Sequence, residues 1–137
     1  MDINKIFGAF EPDEEVEIND TTQVVLDGPM LWIGMFKKLI SNYEIFAKQI
    51  IAFFKASNQD LDIDDIERAS SYMVYTRAYD NLSRLDLKNP THLEALKIYS
   101  DKHFETALSS SLKYYEDLEE YERCAFIKQI QNILNLS

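Results

Sequence analysis

Few residues in this sequence are of a type and spacing that could do chemistry. They are His92 and His103, the single Cys124, an acidic run from Asp60 to Glu67, and three tyrosines at Tyr72, Tyr75 and Tyr79. Two histidines and one thiol do not fill a zinc shell, and no carboxylates stand near them at ligand spacing, so no metal or cofactor site is expected. A calcium loop beginning at Asp60 requires glycine at its sixth position and glutamate at its twelfth. Asp65 and Ser71 occupy those positions. The acids read instead as helix caps, Asp62 or Asp64, with Glu67 at capping-box distance from Asp64. The tyrosines recur at i, i+3 and i+7, which lines three phenols along one helical stripe with Arg68 a turn before Tyr72. Such a stripe is either a stacking platform or a core edge whose hydroxyls reach water. The acidic balance of the chain favours the core edge. Cys124 lies on an apolar helical face, the setting of a buried, inert thiol. No phosphate loop, dinucleotide glycine pattern, HExxH or G-x-S-x-G occurs. No catalytic residue is assigned.

The elements that must hold these residues are helical. The chain has 137 residues, 46% of them hydrophobic, with only three glycines and three prolines. That composition fits one compact domain and argues against a turn-rich sandwich or barrel. Pro29 suits the first position of a helix. From Met30 to Ala56 the polar residues Lys37, Lys38, Ser41, Glu44, Lys48 and Lys55 form one narrow stripe. The remaining arc, with Trp32 and Phe36 in it, is too wide for one neighbour, so this helix is either the centre of a bundle or an oligomer interface. A dimer or larger assembly is predicted through it. A second helix is expected from about Ile63 to Leu85, with Ile66, Ala69, Met73, Ala78, Leu82 and Leu85 on the buried side.

Asn89-Pro90 caps and opens a third helix. The stretch from Pro90 to Leu136 has no breaker residue, yet one helix of that length would reach roughly 70 Å. Breaks are therefore expected near 100–103 and 116–120, giving pieces of about 90–100, 103–115 and 119–135. Residues 112–124 resemble the turn of a tetratricopeptide repeat, with Tyr115 at the helix-A aromatic position and Cys124 at the small position of helix B. Lys128 and Gln131 depart from that pattern, and the second aromatic–Glu–x–small signature lies 17 rather than 34 residues away. The resemblance covers one repeat length and implies an antiparallel helix pair.

Charge divides the chain. There are 24 acidic and 14 basic residues, a formal net charge of −10. Residues 1–27 carry eight acids against Lys5 alone. The domain reading is an acidic, partly extended N-terminal arm at 1–28, with a short hairpin around Asn19-Asp20, followed by a helical bundle at 29–137. The fold class is all-α, with four to five antiparallel helices. The arm's candidate partner-binding residues are Phe7 and Phe10 as apolar anchors and Glu11, Asp13, Glu14, Glu15 and Glu17 as the charged element. Trp32 and Phe36 are the candidates on the first long helix.

An acidic surface disfavours nucleic acid and anionic membranes as direct partners. No secretory signal and no 18-residue apolar span occurs, so an intracellular protein is expected. Isoleucine, lysine, asparagine, tyrosine and phenylalanine are abundant beside only four arginines. That usage suits an AT-rich genome, as in phages, viruses and some bacteria, and a virion-associated protein fits it. The function expected is a non-catalytic protein–protein interaction module, a structural or regulatory subunit of a larger assembly. The alternative is an acidic inhibitor that mimics nucleic acid and blocks a nucleic-acid-binding protein. An enzyme with a site assembled from distant tyrosines and acids ranks third.

Overall fold

The computed structural model describes residues 28–57 and 62–136. The described residues form five helices and no strand: α1 Pro29–Ala56, α2 Ile63–Leu82, α3 Pro90–Tyr99, α4 Lys102–Asp117 and α5 Tyr121–Ile133. The all-α expectation holds, and both breaks after Pro90 fall where the sequence places them. The arm, its hairpin, and the candidates Phe7, Phe10, Glu11, Asp13, Glu14, Glu15 and Glu17 lie outside the described residues.

The helix boundaries follow from local chemistry. Pro29 takes the first helical position, where no N–H is needed. Asp62, rather than Asp64, caps α2: its carboxylate accepts the Asp65 N–H at 3.3 Å, leaving Asp64 and Asp65 in the first turn at the positive end of the helix dipole. Asn89 accepts the Thr91 N–H at 2.9 Å and Asp101 accepts the Phe104 N–H at 2.8 Å. Asp101 is what separates α3 from α4 without a glycine or proline. The α4–α5 turn is closed by two backbone bonds, Glu120 N–H to Tyr115 O and Glu119 N–H to Glu116 O. This is a Schellman pattern, and it puts Glu119 at φ 59°, a left-handed conformation that usually falls to glycine.

The core gathers around the first half of α1. Ile33, Phe36, Leu39 and Ile40 are buried there against Val74, Ala78 and Leu82 of α2, Leu96 of α3, and Phe104 and Leu108 of α4. α1 packs against α2, α3 and α4. α5 packs on α4 through Cys124, Ile127 and Ile130, and meets α2 through Arg123 and Phe126. Of the two roles open to the long apolar helix, its first half takes that of bundle centre.

Its second half is not covered in the same way by the other described helices. Beyond Ile40 no residue of α1 is fully buried. Ile45 is 61% exposed and Phe53 60%. The reason lies in α2, whose facing half contributes only Ile63 and Ile66 as large aliphatic groups before giving way to Ala69, Ser70 and Ser71. The expected buried side of α2 is also corrected. Ala69 and Met73 are exposed, and the buried stripe runs through Val74, Tyr75, Ala78 and Leu82. Tyr75 sets this phase, because its backbone carbonyl accepts the Tyr115 hydroxyl and its ring stacks on Tyr114.

Candidate functional site

The tyrosine stripe of α2 splits by phase. Tyr75 and Tyr79 turn inward and Tyr72 stays 61% exposed. Tyr75 stacks face to face on Tyr114 of α4, with centroids 4.3 Å apart, and meets Tyr43 of α1 edge-on at 6.1 Å. Tyr115 follows at 5.1 Å from Tyr114, edge-on. Its hydroxyl donates to the Tyr75 carbonyl at 2.9 Å and accepts from Arg123 Nη1 at 3.1 Å. The same guanidinium lies over the rings of Tyr79 and Tyr115, at 4.7 and 5.1 Å. Five phenols and one arginine thus weld α1, α2, α4 and α5 together. Offset and edge-on aromatic pairs of this kind contribute about 0.5–1.5 kcal/mol each beyond burial.

Burial pushes the Tyr75 phenol up to about 12, with the Glu44 carboxylate acting in the same direction. Burial also pushes Tyr115 up to about 12, against the opposing pull of Arg123. Both phenols keep their protons at neutral pH and act there as hydrogen-bond groups. This inner part of the stripe is the core edge anticipated from the sequence.

The outer part borders a groove. The end of α4 diverges from the α1–α2 hairpin, leaving two adjoining depressions of about 690 and 560 Å³ that share Glu67, Ser71 and Tyr114. Tyr72 and Leu118 form one wall; Tyr43, Ala47 and Ile51 form the other. Tyr43 Oη and Ser71 Oγ are 2.6 Å apart across the floor, and Ser110 donates to Glu44 at 3.0 Å. The rim is mixed in charge, with Glu44, Asp64, Glu67 and Asp117 facing Lys48, Arg68 and Lys113. Arg68 is paired with Asp65. An open, aromatic-floored depression with charges confined to its edge suits a segment of another chain better than an enclosed small molecule.

The two site residues expected on α1 lie elsewhere. Phe36 is fully buried, edge-on to Phe104 at 5.6 Å, so its ring belongs to the core and not to a partner. The expectation failed because a wide apolar arc does not say which end of a helix its neighbours cover. Trp32 is half-buried and packs edge-on against His92 at 5.6 Å. His92 Nδ1 in turn accepts the Asp86 N–H at 2.8 Å, which ties the α2–α3 loop to α3. Cys124 is 4% exposed, with burial holding its thiol above the ordinary value. The groove residues Tyr43, Tyr114 and Leu118 went unmarked in the sequence. Their only signal was that three aromatic-bearing helices have to meet somewhere.

Among the described residues no group of histidine, cysteine, aspartate and glutamate is arranged to hold a metal ion, and no helix is long and apolar enough to cross a membrane. Compared with protein-family models, with curated proteins and with solved structures, the chain matches none of them.

Proposed function

We propose that this chain is a non-catalytic protein–protein interaction module, a structural or regulatory subunit that receives a segment of another protein in the groove between the α1–α2 hairpin and the end of α4. The observation carrying this reading is the uncovered outer half of the hairpin. A five-helix bundle that buries Ile33, Phe36, Leu39 and Ile40 completely leaves Tyr43, Ala47 and Ile51 of the same helix only half-buried along the groove. It also leaves Tyr72 and Leu118, 61% and 51% exposed, on the lip of the groove. Aromatic groups at the centre of a patch with charge on its rim are the usual anatomy of an interface whose affinity rests on a few anchors.

The test is site-specific photo-crosslinking from position 72 in the source cell. One dominant crosslinked partner is expected, and it should vanish in a Leu118→Glu variant that retains the wild-type helical signal. Crosslinks no stronger than those from an exposed control such as Lys97, or a partner unaffected by Leu118→Glu, would refute the reading.

A further inference from the structure

The two depressions of the groove differ in how their charges are balanced. In the one against α1, Glu44 and Lys48 stand one turn apart on α1, and Lys113 and Asp117 stand one turn apart on α4. Glu44 also accepts the Ser110 hydroxyl. The other depression, of about 690 Å³, lies between α2 and α4. Asp64, Glu67, Arg68, Ser71 and Tyr72 stand at i, i+3, i+4, i+7 and i+8, so one face of α2 walls it, opposite Tyr114 and Leu118. Its base among the described residues, Arg68, is paired with Asp65, which lies outside the lining. Asp64 and Glu67 are exposed and enter no ion pair among the described residues. Two carboxylates are therefore left uncompensated beside two phenol rings.

We propose that this depression receives an arginine side chain of the partner segment, so that the partner is basic where it enters the groove; the inference rests on the groove reading above and names the partner's chemistry. Charge complementarity selects it. The chain as a whole carries −10, which draws a basic segment in, and an acidic or phosphorylated one would meet Asp64 and Glu67 as like charges. The fold itself holds one cation in the same way. The Arg123 guanidinium lies over Tyr79 of α2 and Tyr115 of α4, at 4.7 and 5.1 Å from their ring centres. Tyr72 stands two turns nearer the start of α2 on the same stripe, and Tyr114 directly precedes Tyr115. The depression thus repeats that pairing of phenols, with two carboxylates added and Leu118 to meet an aliphatic stem. A planar guanidinium can lie on a phenol ring while its N–H groups reach a carboxylate, a combination that a lysine ammonium, as a compact point charge, matches less well.

N-acetylarginine amide, titrated into the full chain, is the probe, and N-acetylcitrulline amide is its neutral isostere. The Tyr72 and Tyr114 ring resonances are expected to shift saturably at millimolar arginine probe, with roughly tenfold weaker affinity for the citrulline probe. Tyr121, which is 68% exposed and lines neither depression, should not move. Asp64→Asn/Glu67→Gln, retaining the wild-type helical signal, should lose the preference for arginine. Asp80→Asn/Glu94→Gln, which removes the same charge outside the groove, should keep it. Equal affinity for the two probes, no shift from either, or a preference that survives Asp64→Asn/Glu67→Gln would overturn the cation site, and a crosslink from position 72 that persists would then leave the groove reading intact. Arginine preference without any crosslink from position 72 would overturn the partner segment and not the cation site.

Discussion

Raising the pH should unfold this protein through its tyrosines. The phenols of Tyr75 and Tyr115 stand at about 12 in the fold, against an ordinary value of 10.0. An unfolded chain therefore releases these two protons earlier than the native chain does. Below pH 10 both states are protonated and the stabilisation is fully present. As pH rises from 10 towards 12, the unfolded state binds fewer protons than the native state, so stability falls. A shift from 10.0 to about 12 corresponds to at most about 2.7 kcal/mol for each phenol. Partial solvent screening reduces this to roughly half, so the pair accounts for about 2–3 kcal/mol. That is a large share of the 5–15 kcal/mol typical of a domain.

The assay is urea unfolding at closely spaced pH values, with tyrosinate absorbance followed in parallel. At least two of the eight tyrosines should titrate late and together with loss of helix. In the Tyr75→Phe/Tyr115→Phe variant the alkaline loss should shrink by most of that 2–3 kcal/mol. The variant should also be weaker at neutral pH by about 1 kcal/mol, for the lost bond to the Tyr75 carbonyl. All eight phenols titrating near pH 10 with the helices intact would refute the burial argument. So would an unchanged alkaline slope in the variant.

The two halves of α1 should respond oppositely to truncation. Phe36→Ala should cost about 3–5 kcal/mol in chemical denaturation, and Phe53→Ala should stay within about 0.5 kcal/mol. Ser111 is 1% exposed and its hydroxyl has no hydrogen-bond partner. Ser111→Ala should therefore raise stability by about 1 kcal/mol, read as an increased denaturation midpoint. Glu119→Gly relieves a left-handed backbone at the α4–α5 turn and should likewise add about 1 kcal/mol, whereas Glu119→Val should destabilise.

Much of the fold was legible because its stops are chemical. Pro29, Asn89-Pro90 and the acids before α2 announce helix starts by residue type alone. The break at Asp101 is subtler, yet length excluded one helix from Pro90 to Leu136 and a capping aspartate stood at a fitting place. Phase was harder. On α2 the alanines and methionines suggested a buried line through Ala69 and Met73, but those side chains gain little from burial compared with Tyr75. The ring of Tyr75 finds Tyr114 and Tyr43, so it rotates the helix. Lengthwise placement was not legible at all. Apolar pattern along a helix reports the arc to be covered, while the reach of α3 and α4 along α1 is fixed by where Asn89 and Asp101 start them.

That lengthwise mismatch links the fold to its proposed role. α1 is longer than the helices that cover it, and its surplus turns are supported by α2 alone. A hairpin of two helices with few large side chains between them has low local stability. The same apolar residues raise its stability as soon as a third element covers either side. Ile45 and Phe53 are the exposed apolar groups on those outer turns, and the tyrosine cluster at the base fixes the inner ones. The interior packing of Tyr75, Tyr114 and Tyr115 roots the base of the hairpin in the core. The hairpin's two sides differ in chemistry: the groove side carries phenols and mixed charge, and the opposite side of α1 sets Phe53 beside the uncharged amides Asn42 and Gln49.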